Sequence, residues 1–163
     1  MDDPDDGPYA RAPRIADLAR ICGALNGAGA RYLLIGGFAL IAHGAGRTTQ
    51  DIDLLVDDDP GNVARVTSAL LILADKASSQ VAPEDVRRFT VVRIADEVVV
   101  DLLGRACGVT YLDAAADAET FTIEGVDVPV ASKQTLIRTK DTVRPSDLAD
   151  RRFLQIRIDE ERR

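Results

Sequence analysis

Two aspartates separated by one isoleucine are the residues whose type and spacing best suit chemistry in this chain. Asp51 and Asp53 begin an apolar run that continues through residues 54–56. Because successive side chains of a strand point to opposite faces, both carboxylates project from one face while Ile52 points into the core. Carboxylates held together in this way are typical ligands of divalent cations. The pattern predicts a metal site at the start of a strand.

A third aspartate, Asp101, lies inside the apolar run 98–103. An unpaired carboxylate among buried residues costs several kcal/mol or becomes protonated, so Asp101 needs a partner. A metal ion is one partner, and an arginine or exposure at a sheet edge is the alternative. Three carboxylates around two Mg²⁺ ions suit transfer chemistry, in which one ion activates an acceptor hydroxyl and the other grips a triphosphate. Asp101 would then help to deprotonate the acceptor.

Gly36 and Gly37 follow an apolar run and precede a short amphipathic stretch. Glycines at such a point let the backbone approach a phosphate, although a tight turn from strand to helix explains a glycine pair equally well. The pair gains significance from the aspartates that follow it. By contrast, Gly27 and Gly29 come before the first strand, which argues against a dinucleotide-binding motif.

The remaining pattern supplies the elements that must position these residues. Helical spacing of apolar residues predicts helices at 14–26, 38–43, 62–76, 133–143 and 146–158. Runs rich in β-branched residues predict strands at 32–35, 51–56, 89–94, 98–103, 120–123 and 126–130. Each of the last two pairs of strands is predicted to be antiparallel. Helices and strands thus alternate along the chain.

Composition limits the classes of protein. The 163 residues are enough for one domain, predicted at 14–163 after a disordered acidic tail at 1–13. No apolar stretch approaches the roughly 20 residues that span a bilayer, so we expect a cytoplasmic protein without a membrane partner. The net charge of −7 argues against nonspecific binding of long nucleic acid but is compatible with a magnesium nucleotide. Cys22 and Cys107 are predicted to be buried free thiols.

The glycine pair at 36–37, the Asp51-Ile52-Asp53 element and the later Asp101 together resemble the signature of the DNA polymerase beta-like nucleotidyltransferase superfamily. Residues 44–53 and 140–150 resemble AbiEii-type toxin and minimal nucleotidyltransferase proteins. The likeness covers roughly residues 30–155. It implies the nucleotidyltransferase fold, an α/β (α+β) architecture with a mixed central β-sheet flanked by helices. It also implies Mg²⁺ or Mn²⁺ as cofactor and a nucleoside triphosphate such as ATP as donor.

The resemblance also implies a role for each matching residue. Asp51, Asp53 and Asp101 would bind metal and carry catalysis. The residues implied near the nucleotide are Gly36, Gly37, Arg47, Thr48, Lys140, Arg144 and Asp147. Among these, the two glycines would contact the triphosphate, and Arg47 with Thr48 would brace the loop before the acidic pair. Ser146 stands where the family usually has a basic residue, which leaves the phosphate grip or the choice of donor open.

The acceptor and the biological role stay open at this stage. A transfer RNA, a protein or a small molecule such as an antibiotic would each fit the chemistry, and the toxin-type relatives imply a cognate antitoxin as partner. Several arginines suit either an RNA acceptor or surface ion pairs: Arg87, Arg88, Arg93, Arg105 and Arg138. The alternative to an enzyme is a catalytically silent module of the same fold that binds a nucleotide or a partner protein.

Two other polar features are expected to lie outside the site. His43, the only histidine, ends a predicted helix beside Gly44 and is expected to make a cap or loop contact rather than act as a base. The run of aspartates at 57–59 is expected to form a solvated loop rather than part of the metal site.

Overall fold

The computed structural model describes residues 10–163, which form an α/β structure with a mixed six-stranded sheet flanked by helices. The strands are β1 Tyr32–Ile35, β2 Asp51–Val56, β3 Val92–Ala95, β4 Val99–Leu103, β7 Glu119–Ile123 and β8 Val126–Val130, with β5 Arg105–Ala106 and β6 Val109–Thr110 in a separate two-stranded sheet. The helices are α1 Ile15–Gly27, α2 Gly36–Ala42, α3 Pro60–Ala69, α4 Asp85–Arg88, α5 Tyr111–Ala115, α6 Lys133–Thr139 and α7 Pro145–Glu161. Within the part of the chain that the structure describes, no helix is long and apolar enough to cross a membrane.

The large sheet has the order β3-β4-β2-β1-β8-β7. Pairing is parallel between β2 and β4 and between β1 and β8, and antiparallel between the other neighbours. β1 is buried along its whole length at the centre of this sheet. As the composition suggests, the buried core consists mainly of Leu, Ile, Val and Ala side chains.

The predicted strands agree closely with the structure, and the largest error in a helix concerns α3. This helix ends at Ala69 rather than at residue 76 and is followed by a short 3-10 turn. The Asp96 carboxylate, in the turn between β3 and β4, accepts the amides of Asp75 and Ala77, each at 2.8 Å. These hydrogen bonds come from a remote segment and replace helical ones, so the local pattern does not predict them.

Smaller differences lie at the ends of other elements. β3 begins at Val92 rather than at residue 89, and α6 ends at Thr139 rather than at 143. The segment from β5 to α5 had no predicted structure. Cys22 is buried and free as predicted, but the prediction is wrong for Cys107, which is free and exposed.

The predicted tail, residues 1–13, lies outside the described residues for its first nine positions. Residues 10–13 are described, and there Arg11 donates a backbone hydrogen bond to the carbonyl of Glu97 at 3.0 Å. The Arg11 guanidinium also pairs with Asp17 at the start of α1. Arg11 therefore ties this end of the tail to the folded chain.

Candidate functional site

Gly36 joins β1 to α2 and makes room for an acidic side chain. Its φ of +72° is a left-handed conformation that favours glycine, and a Cβ added there would lie 2.8 Å from the carboxyl carbon of Asp53. Real side-chain atoms do not approach so closely. Glycine is thus needed at this residue for two reasons, the backbone conformation and the Asp53 carboxylate that lies against it.

Gly37 has a different neighbour, the loop that leads into β2. A Cβ at Gly37 would lie 2.5 Å from Oγ1 of Thr49, and this hydroxyl donates to the carbonyl of Asp51 at 3.1 Å. The loop before the acidic pair is therefore held against α2 by Thr49. The exposed Thr48, to which the resemblance assigned this bracing, does not line the cleft that Thr49 lines.

The register of the sheet brings the three aspartates together. Asp53 pairs directly with Asp101 across the parallel strands β2 and β4, so both side chains project from the same face. Asp51 projects from that face too, being two residues before Asp53. One carboxylate oxygen from each of the three lies within 4.8 Å of the others. The predicted cluster of acids is thus present in the structure.

Burial and the crowding of like charges raise the pKa values of two of these acids. Burial, followed by the charges of Asp51 and Asp101, raises the pKa of Asp53 to about 7. The pKa of Asp51 is also raised, by burial and then by the charge of Asp101. Lys140 and Arg93 oppose the shift at Asp53 without cancelling it. In the absence of a further cation, the site therefore favours a proton on Asp53 near neutral pH.

Arg93 forms ion pairs with the acids, although the sequence indicated for it only an RNA or surface contact. It faces Asp101 across the antiparallel pair of β3 and β4. Its Nε and Nη2 donate to the two oxygens of Asp101 at 3.0 and 2.9 Å, and Nη2 also donates to Asp51 at 3.2 Å. The arginine partner that was one alternative for Asp101 is thus present. Counting back across the predicted hairpin, with residues 95–97 as its loop, would have placed Val91 opposite Asp101; β3 instead ends at Ala95, and the register is shifted by two residues to Arg93.

The opposite wall of the cleft is formed by the end of α6 and the start of α7. Lys140 places its Nζ 3.0 Å from Asp150 and 3.7 Å from Asp147, and Arg144 donates to Asp147 at 3.1 Å. Asp150 in addition accepts from Arg47 at 2.8 Å. Burial raises the pKa of Asp147, but hydrogen bonds from Thr142 and Arg144 outweigh it, and the net pKa lies below the usual value.

These residues line one cleft of about 610 Å³. Nine of the ten residues proposed for the site from the sequence lie on its walls, and Thr48 is the exception. The walls also include polar residues to which the sequence assigned no role at the metal or the nucleotide, among them Thr49, Arg93, Arg105 and Asp150. Asp150 carried a signal, since it follows Asp147 by one helical turn, whereas nothing in the sequence distinguishes Thr49 from Thr48.

The residues expected outside the site do lie apart from the acids. His43 is buried at the end of α2, where Nε2 lies 2.9 Å from the carbonyl of Ala131 and the ring packs edge-on against Phe121. Asp57 pairs with Arg31, and Asp59 caps the start of α3. None of these residues lines the cleft, but Asp57 and Asp59 make an ion pair and a helix cap where the sequence predicted only a solvated loop.

Comparison with known proteins adds no assignment to this geometry. No protein-family model matches the chain, and no curated protein matches it significantly. The chemistry must therefore be inferred from the cleft itself. Its acidic cluster suits divalent cations, and the basic residues on its walls suit an anionic ligand.

Proposed function

We propose that the protein is a Mg²⁺- or Mn²⁺-dependent nucleotidyltransferase with the nucleotidyltransferase fold. The observation that carries this proposal is the convergence of Asp51, Asp53 and Asp101 beside the glycine turn at Gly36. The donor is a nucleoside triphosphate, and the acceptor is a hydroxyl of an RNA, a protein or a small molecule. A role in a toxin–antitoxin pair belongs to the same proposal.

The carboxylates fit a divalent cation. Mg²⁺ and Mn²⁺ prefer oxygen ligands, and three aspartates within 4.8 Å of one another offer them. The raised pKa of Asp53 supports the same assignment, because a group packed against two like charges gains most from an added positive charge. A bound cation would activate the acceptor hydroxyl and offset charge on the leaving pyrophosphate.

The sheet order supports a division of the cleft into two sides. Gly36 follows β1, the acids lie on β2 and β4, and Arg93 lies beyond them on β3. Lys140 and Arg144, on the wall formed by α6 and α7, can bind the phosphates of the donor. Asp101, farther from the glycines, would take the proton of the acceptor hydroxyl. The oxygen of that hydroxyl would then bond to the α-phosphorus of the donor, and pyrophosphate would leave.

One observation favours the alternative, a silent nucleotide- or partner-binding module. Asp101 already has both of its oxygens hydrogen-bonded by Arg93. A carboxylate satisfied in this way does not itself require a metal ion. The two functions differ in whether the protein transfers a nucleotidyl group, and only the enzyme needs the acids for turnover.

The test is incubation of the protein with Mg²⁺ and each α-labelled nucleoside triphosphate, with total RNA, cell lysate and the protein itself as acceptors. We expect label transfer by the wild type, none by Asp53→Asn and unchanged transfer by Asp159→Asn, an exposed aspartate near the end of α7. Pyrophosphate release gives an independent count of turnovers. Nucleotide binding without transfer to any acceptor would support the silent module instead.

A further inference from the structure

The guanidinium of Arg93 lies across the mouth of the acidic cluster. Nη2 bridges two carboxylates, at 2.9 Å from an oxygen of Asp101 and 3.2 Å from an oxygen of Asp51, while Nε holds the second oxygen of Asp101. The other basic residues of the cleft have different partners: Lys140 pairs with Asp147 and Asp150, and Arg144 with Asp147. Among the described residues, Arg93 alone pairs with the cluster.

The bridging nitrogen occupies the space that a shared cation needs. A Mg²⁺ ion bound by Asp51 and Asp101 would lie about 2.0–2.1 Å from an oxygen of each. Nη2 already lies between those two carboxylates, and its positive charge opposes a second cation beside it. The two cannot occupy this place together.

The side chain of Arg93 can also move away from the carboxylates at little cost in free energy. Its strand, β3, is at the edge of the large sheet, and its side chain is 61% exposed although that of Asp101 is only 7% exposed. This movement would break the hydrogen bonds to Asp51 and Asp101 but would not disturb packing in the core. The pair thus combines a buried acid with a basic group that water can solvate.

We propose that Arg93 is an internal counter-cation that a divalent cation replaces. In the cation-free protein it is a positioning residue, which holds Asp51 and Asp101 together despite their like charges. When the cation binds, the guanidinium leaves both carboxylates and turns toward solvent at the cleft mouth. This inference rests on the proposed function, because it requires the cluster to bind metal. It also explains how Asp101 can be both arginine-paired and a metal ligand.

The experiment is titration calorimetry with Mn²⁺ alone on the wild type, Arg93→Gln and the control Arg105→Gln. Arg105 lines the same cleft and is exposed, but it makes no ion pair with the cluster in the described chain. Both variants lose one positive charge, and only Arg93→Gln loses the bridge. We expect Mn²⁺ to bind Arg93→Gln about tenfold more tightly, equivalent to about 1.4 kcal/mol. Arg105→Gln should change the Kd by less than about threefold.

The sign of the change separates the two roles that Arg93 can have. Weaker or unchanged Mn²⁺ binding by Arg93→Gln would overturn replacement, since a residue that only orients the acids can only help the metal. An equal gain in both variants would also overturn it, because general electrostatics would then suffice. Arg93→Lys, which keeps the charge but cannot fork across two oxygens, should also tighten binding and serves if the glutamine variant folds poorly.

Failure of this inference can be told from failure of the proposed function. If the wild type binds Mn²⁺ and Asp53→Asn does not, the metal site stands, whatever Arg93→Gln shows. If neither the wild type nor Arg93→Gln binds Mn²⁺, both proposals fail. If only Arg93→Gln binds it, Arg93 competes with the metal even more strongly than proposed.

Discussion

Asp17 is buried and Asp53 is half-buried, and their surroundings shift their pKa values in opposite directions. Asp17, at the start of α1, accepts both terminal nitrogens of Arg11 at 2.6 and 2.7 Å and the amide of Arg14 at 2.8 Å. The hydrogen bond from Arg11 is the main reason that its pKa falls to about 2. Asp53 has a pKa raised to about 7 by burial and by its neighbouring acids, and no described residue donates a hydrogen bond to its carboxylate.

The difference indicates what each carboxylate contributes. The charge of Asp17 is neutralised by groups of the chain itself and therefore stabilises the fold. The charge of Asp53 is only partly compensated by Lys140 and Arg93, at a cost in stability that functional sites commonly bear. Replacing the two aspartates by asparagine should therefore change the stability of the protein in opposite directions.

Asp53→Asn should abolish nucleotidyl transfer while it stabilises the metal-free protein. We expect activity to fall by about 10³-fold or more, since a ligand of the cation is lost. The free energy of unfolding in EDTA at pH 7 should rise by about 1–2 kcal/mol, because the amide is neutral without having to bind a proton, whereas the buried Asp53 must either bind one or keep a crowded charge. Labelled-nucleotide transfer and urea unfolding measure the two effects. A variant that is both inactive and less stable would contradict the comparison.

Gly36→Ala should destabilise the protein by about 3 kcal/mol. The new methyl group would collide with the Asp53 carboxyl group, and the alanine backbone would have to adopt a left-handed conformation. Gly29→Ala is the matched control. Gly29 has a φ of +67°, but a Cβ there would meet nothing within 4 Å. Gly29→Ala should therefore lower the free energy of unfolding by only about 1 kcal/mol. Urea unfolding of both variants checks the difference, and equal losses would show that the contact with Asp53 is unimportant.

The stability of the metal-free protein should fall as pH rises from about 4 to 7. The folded state keeps a proton on Asp53 in this window that the unfolded chain has released, so unfolding becomes easier as pH increases. We expect Asp53 to contribute on the order of 2 kcal/mol. Urea unfolding across this range, in EDTA, should show a flatter profile for Asp53→Asn. Saturating Mn²⁺ should flatten the wild-type profile; a profile unaffected by either change would place the shifted proton elsewhere.

Asp17→Asn should destabilise the protein, in contrast to Asp53→Asn, and its effect should be the smallest. The folded-state pKa of about 2 lies below the usual value, so Asp17 stabilises the protein above about pH 4 and loses this contribution as pH falls toward 2. At pH 7 the variant should lose about 1 kcal/mol, a figure reduced for the exposure of Arg11. Transfer activity should be unchanged. A loss of activity with intact stability would mean that α1 takes part in the site.

The positions of the strands and of the acidic residues were predictable from the sequence, whereas the long-range contacts of these residues were not. β1 and β2 match their predicted bounds, because buried apolar runs and alternating aspartates are local signals. The role of Arg93 depends on pairing between β3 and β4, and the end of α3 depends on Asp96 from a remote turn. Such contacts follow from tertiary structure, so local patterns do not reveal them.

The direct pairing of β2 with β4 has a consequence for how variable the chain can be. Asp53 and Asp101 are aligned by the register of these two strands and not by the long segment that joins them. Insertions or deletions in the surface turns of residues 57–91 should therefore be tolerated. A single residue inserted in β4 before Asp101 would instead turn its carboxylate to the opposite face. Changes of length are thus restricted within the strands and permitted between them.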